Sequence, residues 1–290
     1  MNKRLALVVS LIFLMAIVSI PLIKAQSTAN IVINPDGSVA GTYSIQQVGN
    51  TYTLTANISE NIQVEKSNIV IDGAGYALDG GIDLSNNIQH EYNNPAITNV
   101  TVENMYLKNA GINTNGGGNN IFYDDYFVNC SRDEGGFAIF LLGCSYNNIS
   151  YCTFDDESIV SMDYGGNYNI VTECNLPADG GVLVWLSGYE TVDRNYWSDY
   201  STKYPNATEV GQSGVGNQPY VYYSLPDGTN GTIVYQDNYP LMKPVTIPLE
   251  DSNPSSTSAS PVPELSWLVI LPLLLSVFCV AGMVRHPKNR

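Results

Sequence analysis

Two groups of carboxylates in this 290-residue chain have the side chains for acid–base chemistry: Asp124 with Asp125, and Asp155 with Asp156 and Glu157. Hydrolysis of a glycosidic bond needs two carboxyl groups about 5 to 10 Å apart, one of them held protonated by its surroundings. Adjacent turns of a repetitive fold can supply that spacing. A lyase needs a base instead, and Lys108 and Arg132, the basic side chains of the central region, sit in no recurring pattern. Aspartate is also a common turn residue, and in a chain this acidic turn acids are the commoner explanation. No phosphate-binding glycine loop, zinc-ligand spacing or nucleophile elbow occurs.

Binding chemistry has other candidates. Tyr196, Trp197 and Tyr200 open an aromatic-rich C-terminal stretch whose ring faces are apolar platforms for sugars; packing over the end of the fold is the competing reading. Trp185, within VLVWL, reads as core or lateral face. Asn-X-Ser/Thr acceptor sites occur at Asn57, Asn99, Asn129, Asn148, Asn206 and Asn230, with Asn57, Asn206 and Asn230 the expected points of glycosylation on an exported chain. Cys152 and Cys174 are 22 residues apart and suit either a disulfide or a pair of stacked thiols, and Cys130 and Cys144 complete the set outside the C-terminal apolar run.

The elements that position these residues are short strands. From Ile31 to about Pro248, runs of Val, Ile, Tyr and Thr are punctuated by Asn, Gly and Asp, with almost no helical period. A polar residue repeatedly precedes an aliphatic one: Asn68-Ile69, Asn99-Val100, Asn120-Ile121, Asn148-Ile149, Asn169-Ile170 and a degenerate Thr191-Val192. The spacings are 31, 21, 28, 21 and 22 residues, so the shortest coil is near 21 and the longer ones carry insertions. Such a period fits a right-handed parallel β-helix, an all-β solenoid of five to six coils in which equivalent side chains stack into ladders about 4.8 Å apart. Ile69, Val100, Ile121, Ile149 and Ile170 are expected to point inward as one ladder. Strands at 26–66 and the aromatic segment 195–247 read as caps on the coils at 67–194, because an open solenoid end exposes unpaired backbone.

Three segments carry a family resemblance. Residues 67–80 (SNIVIDGAGYALDG), 99–105 (NVTVENM), and the set 195–200 (NYWSDY), 214–220 (GVGNQPY) and 237–242 (DNYPLM) resemble the opening coil, repeat and closing segment of NosD-like β-helix proteins of the carbohydrate-binding and sugar-hydrolase type, in particular secreted archaeal ones. The resemblance implies the fold across most of the chain and leaves activity open, since such proteins include binding, structural and enzymatic members. Members often carry an acidic calcium loop before the GVG motif. Here residues 207–214 offer Glu209 alone, too few oxygen ligands for calcium, and His90 is the single histidine before the C-terminal apolar run, too little for copper, so no cofactor is expected.

Both ends are apolar. Residues 1–25 read as a signal peptide, 248–264 as a Pro/Ser linker, 265–284 as a transmembrane helix and 285–290 as a basic cytoplasmic tail, the pattern of a type I protein displayed at the cell surface. The closing run also resembles an archaeal C-terminal sorting signal. Between Gln26 and Glu264 lie six basic residues and all 27 acidic ones, a balance that excludes nucleic acid as a partner. The expected function is a non-catalytic structural or glycan-binding module. Its partners would be extracellular polysaccharide or cell-surface layer components, and the alternative is a polysaccharide hydrolase or lyase using lateral acids.

Overall fold

The computed structural model describes residues 30–85, 96–130, 136–178, 181–185, 187–226 and 232–247. The segments expected as signal, linker, membrane helix and tail lie outside these residues, as do His90, Arg132 and Asn230. Among the described residues no helix is long and apolar enough to cross a membrane.

Single residues turn the chain. Asn68, Asn99 and Asn119 hold φ of 62°, 56° and 56°, and Asn104, Asp124, Tyr151, Glu173 and Arg194 hold φ between 52° and 64°. One left-handed residue redirects an extended chain at a sharp corner, and asparagine enters that region at low cost. Strands between corners are therefore only two to four residues long.

Each coil visits three sheets in turn. Sheet 1 contains Ile69–Asp72, Val100–Glu103, Ile121–Tyr123, Asn148–Ser150, Ile170–Thr172 and Thr191–Asp193 as parallel neighbours. Sheet 2 contains Ala77–Leu78, Tyr106–Lys108, Tyr126–Val128, Thr153–Phe154, Asn175–Leu176 and Tyr196–Trp197. Sheet 3 contains Ile62–Val64, Ile82–Asp83, Ile112–Asn115, Ile139–Leu142, Val160–Asp163 and Val182–Trp185. The architecture is an all-β solenoid of stacked parallel strands. The two long coils place their extra residues between Asp83 and Val100 and between Val128 and Ile139.

The inward ladder on sheet 1 differs from the expected one. Ile69, Val100 and Ile149 are buried, but Ile121 and Ile170 are 40% and 39% exposed. Side chains alternate faces along a strand, so a slip of one residue reverses the face. Ile121 and Ile170 stand two residues after the corner residues Asn119 and Tyr168, whereas Ile69 and Val100 stand one residue after Asn68 and Asn99. The continuous interior column is Tyr52, Ile71, Val102, Phe122, Ile149, Val171 and Val192, all at most 3% exposed. Each such side chain contributes about 1.5–3 kcal/mol by leaving water.

Parallel pairing begins before residue 67, since Thr51–Leu54 pairs with Ile69–Asp72 and Ile31–Ile33 pairs with Ile62–Val64. Ile45–Val48 and Val39–Ala40 then close this end as antiparallel strands. At the other end the antiparallel pair Tyr220–Pro226 and Thr232–Asp237 follows the last coil. Trp197 stacks on Tyr220 and Tyr222, with centroids 4.3 and 5.4 Å away. Buried Asp237 accepts the backbone N–H groups of Arg194, Asn195 and Tyr239 and the indole N–H of Trp197, at 2.8 to 3.1 Å. It fills the position that a further coil would occupy.

Candidate functional site

The two acidic groups occupy different corners. Asp124 and Asp125 lie between sheets 1 and 2, and Asp155, Asp156 and Glu157 lie between sheets 2 and 3, so no single groove gathers both. Asp155 organises its own turn: Oδ1 accepts Ser158 Oγ at 2.6 Å and the Glu157 N–H at 3.2 Å, while Oδ2 accepts the Asn129 N–H at 2.7 Å. Asp156 and Glu157 are exposed. Asp125 points inward, fully buried, with Oδ1 accepting the Met105 N–H at 2.9 Å and Oδ2 without a partner.

Asp124 has a different neighbour, Glu103, on the preceding coil. Its Oδ1 is buried without a partner, and burial holds its carboxyl above the usual carboxylate range. Glu103 is raised as well, first by burial and then by the charges of Asp72 and Asp124. Asp72 is tied down by the Ala74 N–H at 2.9 Å and the Asn104 amide at 3.2 Å. Strand pairing brings Glu103 to Asp124, a meeting that sequence spacing alone does not show. Of the basic side chains, Lys108 lies over the Tyr106 ring at 4.8 Å and Arg194 pairs with Glu173 at 2.7 Å.

Of the aromatic candidates, Trp197 and Tyr200 are buried and Tyr196 is half-buried. Tyr200 donates to the Gln218 carbonyl at 2.7 Å, and all three rings belong to the C-terminal closure. Glu209 accepts the Gly214 N–H at 2.8 Å and closes a tight turn. Among the described residues no three His, Cys, Asp or Glu side chains converge as metal ligands. Cys130, Cys144, Cys152 and Cys174 are buried free thiols. Asn57 and Asn206 are exposed, with Asn57 Oδ1 accepting the Ala77 N–H at 2.9 Å.

A cleft of about 800 Å³ lies on the outer face of sheet 3 and its corner with sheet 2. Its polar lining includes Asn61, Gln63, Asp83, Asn109 and Asn113, and its apolar wall includes Phe137 and Phe140, stacked at 5.0 Å. Part of this lining is structural: Asn61 Oδ1 accepts the Gly81 N–H, Asp83 Oδ1 accepts the Ser85 N–H, and Asn109 bonds to Asp79 and Asn129. The exposed Asn113 amide bonds to none of the described residues. An amide-lined cleft with an aromatic wall offers donors and acceptors to hydroxyl groups and a flat surface to C–H faces.

Exposed aromatics cluster on a second surface, where sheet 3 turns into sheet 1. Tyr146, Tyr168 and Tyr189 stack there across successive coils, with Tyr164 and Trp185 beside them. Their spacing of 22 and 21 residues was a visible sign of this ladder. The cleft had no comparable sign, because its side chains come from separate coils and from an insertion. No family model, curated protein or solved structure matches the chain.

Proposed function

We propose that the chain is a non-catalytic glycan-binding module displayed at the cell surface, with the sheet 3 cleft as its binding site. The observation behind this reading is the pairing of the exposed Asn113 amide and its amide neighbours with the Phe137–Phe140 wall in a cleft of about 800 Å³, a volume suited to a short oligosaccharide. The NosD-like resemblance supports the same ligand class and the right-handed winding that parallel crossovers adopt. The sequence signals for export and a C-terminal membrane anchor, and the exposed sequons at Asn57 and Asn206, support an extracellular setting.

The test is binding of full-length protein to a panel of neutral and acidic oligosaccharides by calorimetry, with assays for new reducing ends and unsaturated products. Binding without turnover that weakens at least tenfold in Asn113→Ala or Phe140→Ala is the expected result. Raised carboxyls at Glu103 and Asp124 on adjacent coils favour a hydrolase as the second reading. Turnover abolished by Glu103→Gln or Asp124→Asn would replace the first reading with it.

A further inference from the structure

The corner between sheets 3 and 1 presents aromatic rings that the fold leaves exposed. Tyr146, Tyr168 and Tyr189 are 59%, 48% and 73% exposed, and their centroids are 5.3 and 5.6 Å apart with interplanar angles of 17° and 11°. Tyr164 and Trp185, 5.7 Å apart, are 55% and 51% exposed. Three of the five hold left-handed backbone: φ is 62° at Tyr146, 53° at Tyr164 and 62° at Tyr168. In earlier coils the corner residue corresponding to Tyr146 and Tyr168 is Asn68, Asn99 or Asn119.

Magnitudes decide what this exchange does. A left-handed conformation costs a side chain such as tyrosine about 1–2 kcal/mol, which asparagine partly escapes. An aromatic pair returns about 0.5–1.5 kcal/mol. Folding gains nothing net from replacing asparagine by tyrosine here, so the rings are explained by what they offer outward.

Charge narrows the partner. No lysine or arginine occurs between Arg132 and Arg194, so an anionic polymer finds no counter-charge on this corner. Its two carboxylates are engaged, Asp163 by Ser161 at 2.9 Å and Glu190 by Asn169 at 2.7 and 3.2 Å, which leaves little for a cationic partner. A second copy brings the same formal charge of −15. A neutral polysaccharide needs neither sign of charge: its C–H faces pack on rings and ring edges, and its hydroxyls meet tyrosine hydroxyls. The coil repeat of about 4.8 Å is close to the length of one sugar unit in an extended chain, so each coil can meet the polymer alike.

We propose that this aromatic ridge binds a neutral polysaccharide chain running along the solenoid axis. The proposal rests on the glycan-binding reading for the class of ligand, and assigns it a surface separate from the cleft.

Full-length protein is sedimented with cellulose and chitin and run in affinity gels containing a soluble neutral glucan, with polygalacturonate as the acidic control. Retention by at least one neutral polymer is expected, weakened at least tenfold in Trp185→Ala and in the double variant Tyr146→Asn/Tyr168→Asn. The asparagine variant protects against misfolding, since it installs the residue type of earlier coils, and its melting temperature should equal or exceed the parent's. Ridge variants that bind like the parent while Phe140→Ala loses oligosaccharide overturn the ridge and keep the cleft. Ridge variants that lose polymer while Phe140→Ala and Asn113→Ala bind every glycan normally keep the ridge and overturn the cleft. Failure of every neutral polymer to retain the parent, or a dimer that Trp185→Ala dissociates in sedimentation velocity without polymer retention, overturns the proposal.

Discussion

Two corners of the later coils carry an inward polar column, and the two columns are made of different residues. Between sheets 3 and 1 the column runs through Asn120, Asn147 and Asn169 to Glu190; between sheets 1 and 2 it runs through Asp125, Cys152 and Cys174 to Asn195. Both capture backbone N–H groups of the preceding coil at about the same length. Asn120, Asn147 and Asn169 accept from Val100, Asn120 and Asn147 at 3.0 Å, and Asp125 and Asn195 accept from Met105 and Cys174 at 2.9 and 3.0 Å. An amide accepts and donates at once, so it can repeat; a carboxylate only accepts, so it suits an end. Glu190 and Asp237 take such terminal places. Asp125 instead stands between Met105 and Cys152, with a coil on either side of it.

The donors of the second column share one target, the carbonyl three positions back and one coil away. Asn195 Nδ2 reaches Val171 O at 2.9 Å, Cys174 Sγ reaches Ile149 O at 3.7 Å and Cys152 Sγ reaches Phe122 O at 3.5 Å. By the same register the carbonyl that corresponds for Asp125 is Val102 O, to which the carboxyl can donate only when protonated. Burial holds the Asp125 carboxyl well above the ordinary value, the Met105 N–H opposes that shift, and the charges of Asp124, Glu103 and Asp72 add to it. A proton turns Asp125 into a donor like its column neighbours.

The largest break in the comparison is Asn169→Ala. Asn169 accepts from the backbone and side chain of Asn147 and donates to Cys144 O and Glu190, so the variant strands polar groups on both flanking coils. A loss of about 3 kcal/mol is expected, on the scale of several unsatisfied buried partners. Urea unfolding of the full-length chain measures it, and a loss below about 1 kcal/mol would show that the ladder carries little of the stability.

Asp125→Asn should act in the opposite direction. Asparagine keeps the bond from Met105 and supplies the donor for Val102 O without a proton, as Asn195 does. The sign follows from the raised folded pKa: below the unfolded value near 3.8 both states are protonated and the parent keeps its full stability. As pH rises toward the folded pKa, the unfolded carboxyl ionises first and that stability is lost. The variant should match the parent near pH 3 and exceed it by about 1–2 kcal/mol at pH 7, the scale of one unpaired buried polar atom. Equal pH profiles would mean that Asp125 finds its partners while ionised.

How much of this was legible depends on which residue marks the corner. The recurrence of Asn before an aliphatic residue exposed the coil period, because asparagine serves both the left-handed corner and the inward column. It left the strand phase open, since Asn99 and Asn119 make corners while Asn120, Asn147 and Asn169 lie one residue further on. Ile121 and Ile170 were read on the wrong face because the inward Asn120 and Asn169 stood in for the corner residues Asn119 and Tyr168 that precede them. Asp125 looked like a surface acid because aspartate is usually one, and stacking alone reveals that it falls in line with Met105 and Cys152. Gln63, Asp83, Asn113 and Phe140 form one outward column that no local pattern announces, since only register aligns them.

The smallest expected effect tests whether the second column asks for sulfur or merely for a donor. Burial raises the Cys130 thiol to about 11 and raises Cys144 and Cys152 as well, so all three are thiols at neutral pH and should resist alkylation at pH 8 until the protein unfolds. Cys174 donates to Thr172 O at 3.3 Å besides the longer bond to Ile149 O. Cys174→Ser keeps a donor at the same place with a shorter reach, so the lost packing and the stronger hydrogen bond should nearly offset, leaving unfolding free energy within about 1 kcal/mol of the parent. Cys174→Ala removes the donor and most of the volume and should cost more. If serine proves as costly as alanine, sulfur's volume and not its proton is what the column needs, and the likeness between its thiols and Asn195 fails. If serine is tolerated, the second column follows one rule: each member from Asp125 to Asn195 offers a buried donor to the preceding coil, and Asp125 supplies its own by keeping a proton.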